Sequence, residues 1–250
     1  MLDHEQVFAR VQEQQELRAR MKERRTFLLH GEEGVGKTFL LKGICHALPR
    51  LIYCEANRGM HQLCRQIALS LLRDGNRVMQ IKLGPDPAVK VRNITSISLR
   101  GIVTEALQQE RYYLVLDQFG FASQQFASLV KTWAAGPAAI VIVARSAHME
   151  EVGHAASLFA ERKDRVRLDN FDAGTALRFS DWVVQMRGLQ AENLGEFKHR
   201  IVELSRGNPG MIARLVQYAG LPKYRSGQHI KVTPLYLDCR LHGSAGAQLP

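Results

Sequence analysis

The chain alternates short, uniformly apolar runs with longer segments in which apolar residues recur every three or four positions. The runs are "TFLLHG" (26–31), "LIYCEA" (51–56), "YYLVLD" (112–117), "AAIVIVA" (138–144) and "RVRLDN" (165–170). Rich in β-branched and aromatic residues and without strict alternation, they predict strands covered on both faces. Between them, "GMHQLCRQIALSLL" and "SLRGIVTEALQQE" keep the helical period. The pattern therefore predicts an α/β fold, a parallel sheet flanked by helices. One stretch, "DGNRVMQIKLGPDPAVKVRNITS", breaks both periods and predicts a long irregular, functional loop.

Beyond about residue 170 only the helical period remains, in "AGTALRFSDWVVQMRG", "LGEFKHRIVELSRG" and "GMIARLVQYAG", each broken by Gly or Pro. The expected organisation is a core over 1–170, a small helical lid over 171–220 and a basic C-terminal extension over 221–250, with no role assigned to the extension. Trp133 and Trp182 fall in apolar patterns and read as core residues.

Composition narrows the classes. Of the 250 residues 46% are hydrophobic, ordinary for a globular chain. No apolar run approaches the ~20 residues of a membrane span, and the N-terminus lacks the apolar centre of a signal peptide. A cytoplasmic chain with no membrane partner is the expectation. The four cysteines, Cys45, Cys54, Cys64 and Cys239, form no CxxC pair and read as buried free thiols. The formal net charge of +10 favours an anionic partner. Eight Arg and Lys between Arg58 and Arg100 face only Asp74 and Asp86, a net +6. That segment reads equally as a solvated basic surface or a nucleic-acid face.

The candidate chemistry lies in "GEEGVGKT" (31–38), which fits G-x-x-x-x-G-K-[ST] and stands between a predicted strand and a predicted helix. Gly31, Gly34 and Gly36 permit a backbone that closes around phosphates. The start of the following helix adds attraction, Lys37 reaches the outer phosphates, and the Thr38 hydroxyl binds magnesium. The run Gly31, Glu32, Glu33, Gly34, Val35, Gly36, Lys37, Thr38 and Phe39 is assigned to nucleotide binding, with the Glu32 and Glu33 side chains facing solvent. Asp117 ends a buried strand and is the candidate to hold magnesium through water. The next residue is Gln118, which cannot take a proton from water but can orient one. Glu55, ending "LIYCEA", is a second candidate for the base. Arg145 follows "AAIVIVA" and should emerge at the same sheet edge as Asp117, where a guanidinium could contact a terminal phosphate.

With these residues placed, the chain resembles the P-loop ATPases of the AAA+ and STAND group, over most of residues 8–220. "FARVQEQQEL" (8–17) resembles the segment that precedes the loop in those families, with Arg10 at the arginine position near the adenine. "LVLDQ" resembles their Walker B strand, "VIVAR" their sensor strand, and "RGNPGMIARL" (206–215) their lid motif, in which Gly207, Asn208 and Pro209 bring a helix start near the nucleotide. The resemblance implies a five-stranded sheet in the order 5-1-4-3-2, ATP and Mg2+ as ligands, and a lid that reports nucleotide state. Two departures stand out: Gln118 replaces a second acid, and Gly210 replaces the lid arginine, leaving Arg214 one turn on.

Three functions fit. The first is a nucleotide-dependent switch or weak ATPase acting on DNA or a DNA-bound complex. The second is a STAND-like signalling module that forms a homo-oligomer and recruits a protein partner. The third is a scaffold that binds ATP without turnover, which Gln118 permits.

Overall fold

All five apolar runs become strands of one parallel sheet in the computed structural model, which describes residues 10–46, 48–56 and 59–242. Two compact units divide the described chain. The first holds the residues up to Gly31 and Lys37–Leu168; the second holds Glu32–Gly36 and the residues from Asp169 on.

In chain order the first unit contains α1 (Val11–Lys22), β1 (Phe27–His30), α2 (Lys37–Cys45), β2 (Leu51–Glu55), α3 (Met60–Arg73), α4 (Arg77–Leu83) and α5 (Pro87–Asn93). There follow α6 (Ser96–Gln109), β3 (Tyr113–Asp117), α7 (Gln124–Ala134), β4 (Ala139–Ala144), α8 (Met149–Val152) and β5 (Arg165–Arg167). The strand order is β2-β3-β4-β1-β5, which read from the other edge is the expected 5-1-4-3-2.

The two-residue period of the strands sorts their side chains onto two faces. Leu28, Ile52, Cys54, Leu114, Leu116, Ile140 and Ile142 join a core with Leu63 and Ile67 of α3, Leu99 and Val103 of α6, and Val130 and Trp133 of α7. The alternate positions, among them Tyr53, Val115 and Asp117, lie on the opposite face. β3 and β4 are buried at every position, whereas β2 is partly exposed, as befits an edge strand. Trp133 is fully buried, and its indole N–H donates to the Thr104 hydroxyl at 2.9 Å, so its polar atom is satisfied within the core. The cysteines are free and buried, and burial pushes the Cys54 thiol up to about 12 and Cys64 to about 11, which keeps both protonated and inert.

The segment expected to be an irregular loop is instead two short helices, α4 and α5. Local signals explain them. The Asn76 side chain accepts the Met79 N–H at 3.0 Å and caps α4, Gly84 ends it with φ of 60°, and Pro87 stands in the first turn of α5. Val78, Met79, Leu83 and Val91 then bury against the α3 and α6 core. Helices of seven residues are too short to display a hydrophobic period, which is why the sequence pattern missed them.

The second unit contains α9 (Ala173–Arg187), α10 (Leu194–Ser205), α11 (Pro209–Ala219), a two-stranded ribbon β6 (Arg225–Ser226) and β7 (His229–Ile230), and α12 (Val232–His242). Asp172 caps α9 by accepting the Thr175 N–H at 3.0 Å, and Gly188 ends it in the left-handed region. The tail acquires a packing role here. Tyr224, Ile230, Leu235 and Cys239 share one core with Phe197, Ile201, Ile212, Leu215 and Val216. Trp182, expected in a core, is 37% exposed on α9 with its ring centroid 5.7 Å from that of Phe179. Its apolar neighbours in sequence produced the expectation, but it lies on the outer side of the helix.

Candidate functional site

The first unit gathers its polar chemistry at the carboxyl end of the central strands. β1 and β4 run in register, His30 beside Ala144, and the Gly31 N–H donates to the Arg145 carbonyl at 3.1 Å. The glycine-rich loop therefore leaves the sheet at the edge where α/β folds bind ligands. Lys37 opens α2 and its Nζ donates to the Gly31 carbonyl at 2.6 Å, so the ammonium lies back over the loop's entry. Thr38 follows, and its Oγ1 donates to Asp117 Oδ2 at 2.8 Å.

Asp117 ends β3 with only 3% exposure, yet its carboxylate is well supplied with donors. Besides Thr38, the Tyr53 hydroxyl donates to Oδ2, and the Gln118 N–H donates to Oδ1 at 2.8 Å. Tyr53 reaches it because β2 pairs in parallel with β3, Tyr53 beside Val115 and Glu55 beside Asp117, which puts all four on one face. Burial first, and then the Asp117 carboxylate, push the Tyr53 hydroxyl well above the ordinary phenol range. It therefore stays protonated and serves as a donor. The Lys42 ammonium stands 5.9 Å from the Tyr53 ring centroid, a cation–π distance.

The other residues singled out in the sequence are distributed as follows. Gln118 is exposed and adopts φ of 54°, an unusual conformation for a non-glycine residue, held by its N–H bond to Asp117. Glu55 is exposed at the tip of β2. Arg145 is also exposed, 66% at the side chain, with its Nε 3.9 Å from Glu151. Phe39 is 61% exposed. Arg10 is 6% exposed and its Nη1 donates to Glu13 Oε1 at 2.7 Å. Phe8 and Ala9 of the N-terminal segment, and Arg58 of the basic segment, lie outside the described residues.

The second unit carries the middle of the loop. Glu32 and Glu33 are exposed, Val35 is buried, and Asn208 organises the rest. Asn208 caps α11 by accepting the Met211 N–H at 3.0 Å, while its Nδ2 donates to the Glu33 carbonyl at 2.9 Å and to Asn170 Oδ1 at 3.1 Å. Asn170 in turn donates to Glu32 Oε2 at 3.1 Å. Pro209 is buried in the first turn of α11, and the Gly210 N–H donates to the Gly34 carbonyl at 2.9 Å. A Cβ on Gly34 would stand 2.6 Å from Asn208 Oδ1, and one on Gly210 would stand 2.8 Å from both the Cα and the carbonyl oxygen of Gly34. Only glycine fits at 210, which accounts for the absence of the lid arginine there.

Thr38 and Asp117 bring hard oxygen atoms together beside Lys37. Among the described residues no group of three or more His, Cys, Asp and Glu gathers into a protein-only metal cage. A hydroxyl and one carboxylate suit Mg2+, which keeps most of its water and takes its remaining ligands from phosphates. Gly36 adds a fitting feature of the loop, with φ of 101° and open space where a Cβ would stand. The arrangement therefore fits magnesium with a polyphosphate.

Sequence reasoning missed Tyr53 and Asn170. Tyr53 was recoverable: it lies two residues before Glu55 on the strand that parallels β3, and so shares a face with Asp117. Asn170 carries no local signal; its position depends on how the chain enters the second unit.

No protein-family model matches the chain, and no curated protein sequence matches it. Solved structures do. The chain is similar to the Walker-type ATPase PABY2304 of Pyrococcus abyssi, at 17% identity over 85% of this chain and 67% of that one, with a TM-score of 0.58. It is similar to Cdc6p from Pyrobaculum aerophilum, at 15% identity over 96% of this chain and 64% of that one, with a TM-score of 0.62. The ORC1 protein of Aeropyrum pernix, solved in complex with DNA, gives 14% identity over 95% of this chain and 66% of that one, with a TM-score of 0.64. The chain thus spans just under two thirds of the Cdc6p and ORC1 chains. No helix among the described residues is long and apolar enough to cross a membrane. Sheet order, phosphate loop and structural likeness agree that this chain has a P-loop NTPase fold like that of these structures.

Proposed function

We propose that the protein binds Mg2+-ATP in the 31–38 loop and uses it as a conformational switch on DNA or a DNA-bound complex, with slow or partner-stimulated hydrolysis. The observation that carries this reading is the Thr38 hydroxyl bonded to Asp117 Oδ2 at 2.8 Å beside Lys37. In that arrangement Lys37 supplies charge to the outer phosphates, Thr38 ligates the metal, and Asp117 holds the metal's water. Magnesium, when bound, neutralises phosphate charge and polarises the transferred group. Gln118, at the exposed edge next to Asp117, orients the attacking water, and Glu55, beside Asp117 in register, is the alternative base. Arg145 contacts the terminal phosphate, and Arg10 contributes to the nucleotide's surroundings.

The DNA reading draws on charge and on likeness. Net charge is +10, and α4 and α5 display exposed Arg77, Lys82, Lys90 and Arg92. The ORC1 relative by structure was solved on DNA. Single-turnover hydrolysis of Mg2+-ATP, with and without double-stranded DNA, tests the proposal. Turnover is expected to rise with DNA, and the rise to shrink between about 50 and 200 mM salt as phosphate contacts are screened. Tight ATP binding with no hydrolysis in either condition would instead establish the scaffold, the second reading that the amide at Gln118 favours.

Asp117→Ala bears on the metal directly. Its Mg2+-dependent ATP affinity should fall at least ~10-fold while the Mg2+-free affinity changes little. Stability should also drop by about 1–3 kcal/mol, because the Tyr53 and Thr38 hydroxyls lose their acceptor. Isothermal titration with and without Mg2+, beside a thermal melt, measures both effects.

A further inference from the structure

We propose that Tyr53 is a positioning residue for the metal, aiming the Asp117 carboxylate from the neighbouring strand; the inference rests on the reading above that Thr38 and Asp117 hold Mg2+-ATP. An ionised carboxylate offers about four acceptor directions. In Asp117 two of them, both on Oδ2, are taken by the Tyr53 and Thr38 hydroxyls, and one on Oδ1 by the Gln118 N–H. The remaining direction belongs to Oδ1. The torsion that turns a carboxylate is broad and roughly two-fold, so a carboxylate held by one side-chain donor can still rotate. Two hydroxyls converging on one oxygen, with a backbone N–H on the other, fix the rotation and leave a single open acceptor.

Thr38 cannot do this alone, because it also serves as a metal ligand. Tyr53 can, because its ring is anchored elsewhere. The strand alternation turns it toward Asp117, α2 lies along that face, and the Lys42 ammonium stands 5.9 Å from the ring centroid. Glu55 shares the face but is exposed, so the β2 residue that touches Asp117 is the tyrosine.

The measurement is a Mg2+ titration of ATP binding, using a fluorescent ATP analogue and MgCl2, in the unsubstituted chain, Tyr53→Phe, Asp117→Asn and the double variant. Phenylalanine keeps the ring and its packing, so the fold is retained. Tyr53→Phe is expected to raise the Mg2+ concentration for half-saturation about 10-fold and to leave Mg2+-free ATP affinity unchanged. In the Asp117→Asn background the same substitution should add nothing further, since the hydroxyl acts through the carboxylate. A residue that merely packs would change neither the half-saturation nor the coupling. An unchanged half-saturation in Tyr53→Phe, or full additivity in the double variant, overturns the inference while leaving the nucleotide site standing. Absence of any Mg2+ dependence in the unsubstituted chain overturns both.

Discussion

Lys37→Ala is expected to reduce ATP affinity by roughly 100-fold or more, beyond detection at micromolar protein. The ammonium is the one side-chain cation that begins α2 within the loop, and in the structure it bonds the Gly31 carbonyl at 2.6 Å. That carbonyl partner is weak beside a polyphosphate, so the lysine exchanges it for outer phosphate oxygens without rebuilding the loop. Truncation removes a full charge from a point where the helix start already favours anions. It leaves the strand and helix intact, and the melting temperature without nucleotide should hardly move. Titration calorimetry checks the affinity, and unchanged binding would sink the nucleotide reading as a whole.

The second large effect concerns stability. Gly210→Ala should destabilise the unit that contains α11 by about 1–3 kcal/mol, a fall of roughly 4–8 °C in melting temperature for each kcal/mol in a unit of this size. Alanine in the first turn of a helix ordinarily gains up to about 1 kcal/mol over glycine. Here the added Cβ would stand 2.8 Å from two backbone atoms of Gly34, neither of which can swing away. Relieving the clash would also break the Gly210 N–H bond to the Gly34 carbonyl. Arginine at 210 meets the same obstacle, so the arginine that the sequence resemblance implies at this position cannot be introduced by a single change. A differential scanning measurement on Gly210→Ala decides it; equal or higher stability would mean the two backbones do not approach this closely.

Legibility in the sequence followed the range of each interaction. The sheet was visible because β3 and β4 are buried on both faces and read as unbroken apolar runs. The loop was visible because consecutive residues carry its chemistry. The helix breaks were visible as Gly188 after α9 and Asn208-Pro209 before α11, each a local backbone requirement. What escaped depended on contacts between distant residues. Asn76 looked like part of an irregular run, yet its side chain caps α4 and its Nδ2 donates to Glu110 at 3.0 Å. The tail from 221 carried no legible role, because what orders it is a shared core with α10 and α11. Gly210 registered as a departure from a motif, and the close approach of Gly34 supplies the reason.

Gln118 places the chain at an accessible point in sequence space. Its left-handed backbone, held by Asp117 Oδ1, excludes β-branched replacements but treats unbranched side chains of equal length alike. Glutamine and glutamate codons differ by a single base. A carboxylate could therefore enter at this exposed edge beside Asp117 by one base change with the left-handed backbone kept. Under the reading proposed above, that single change would put a general base where the chain now holds an amide.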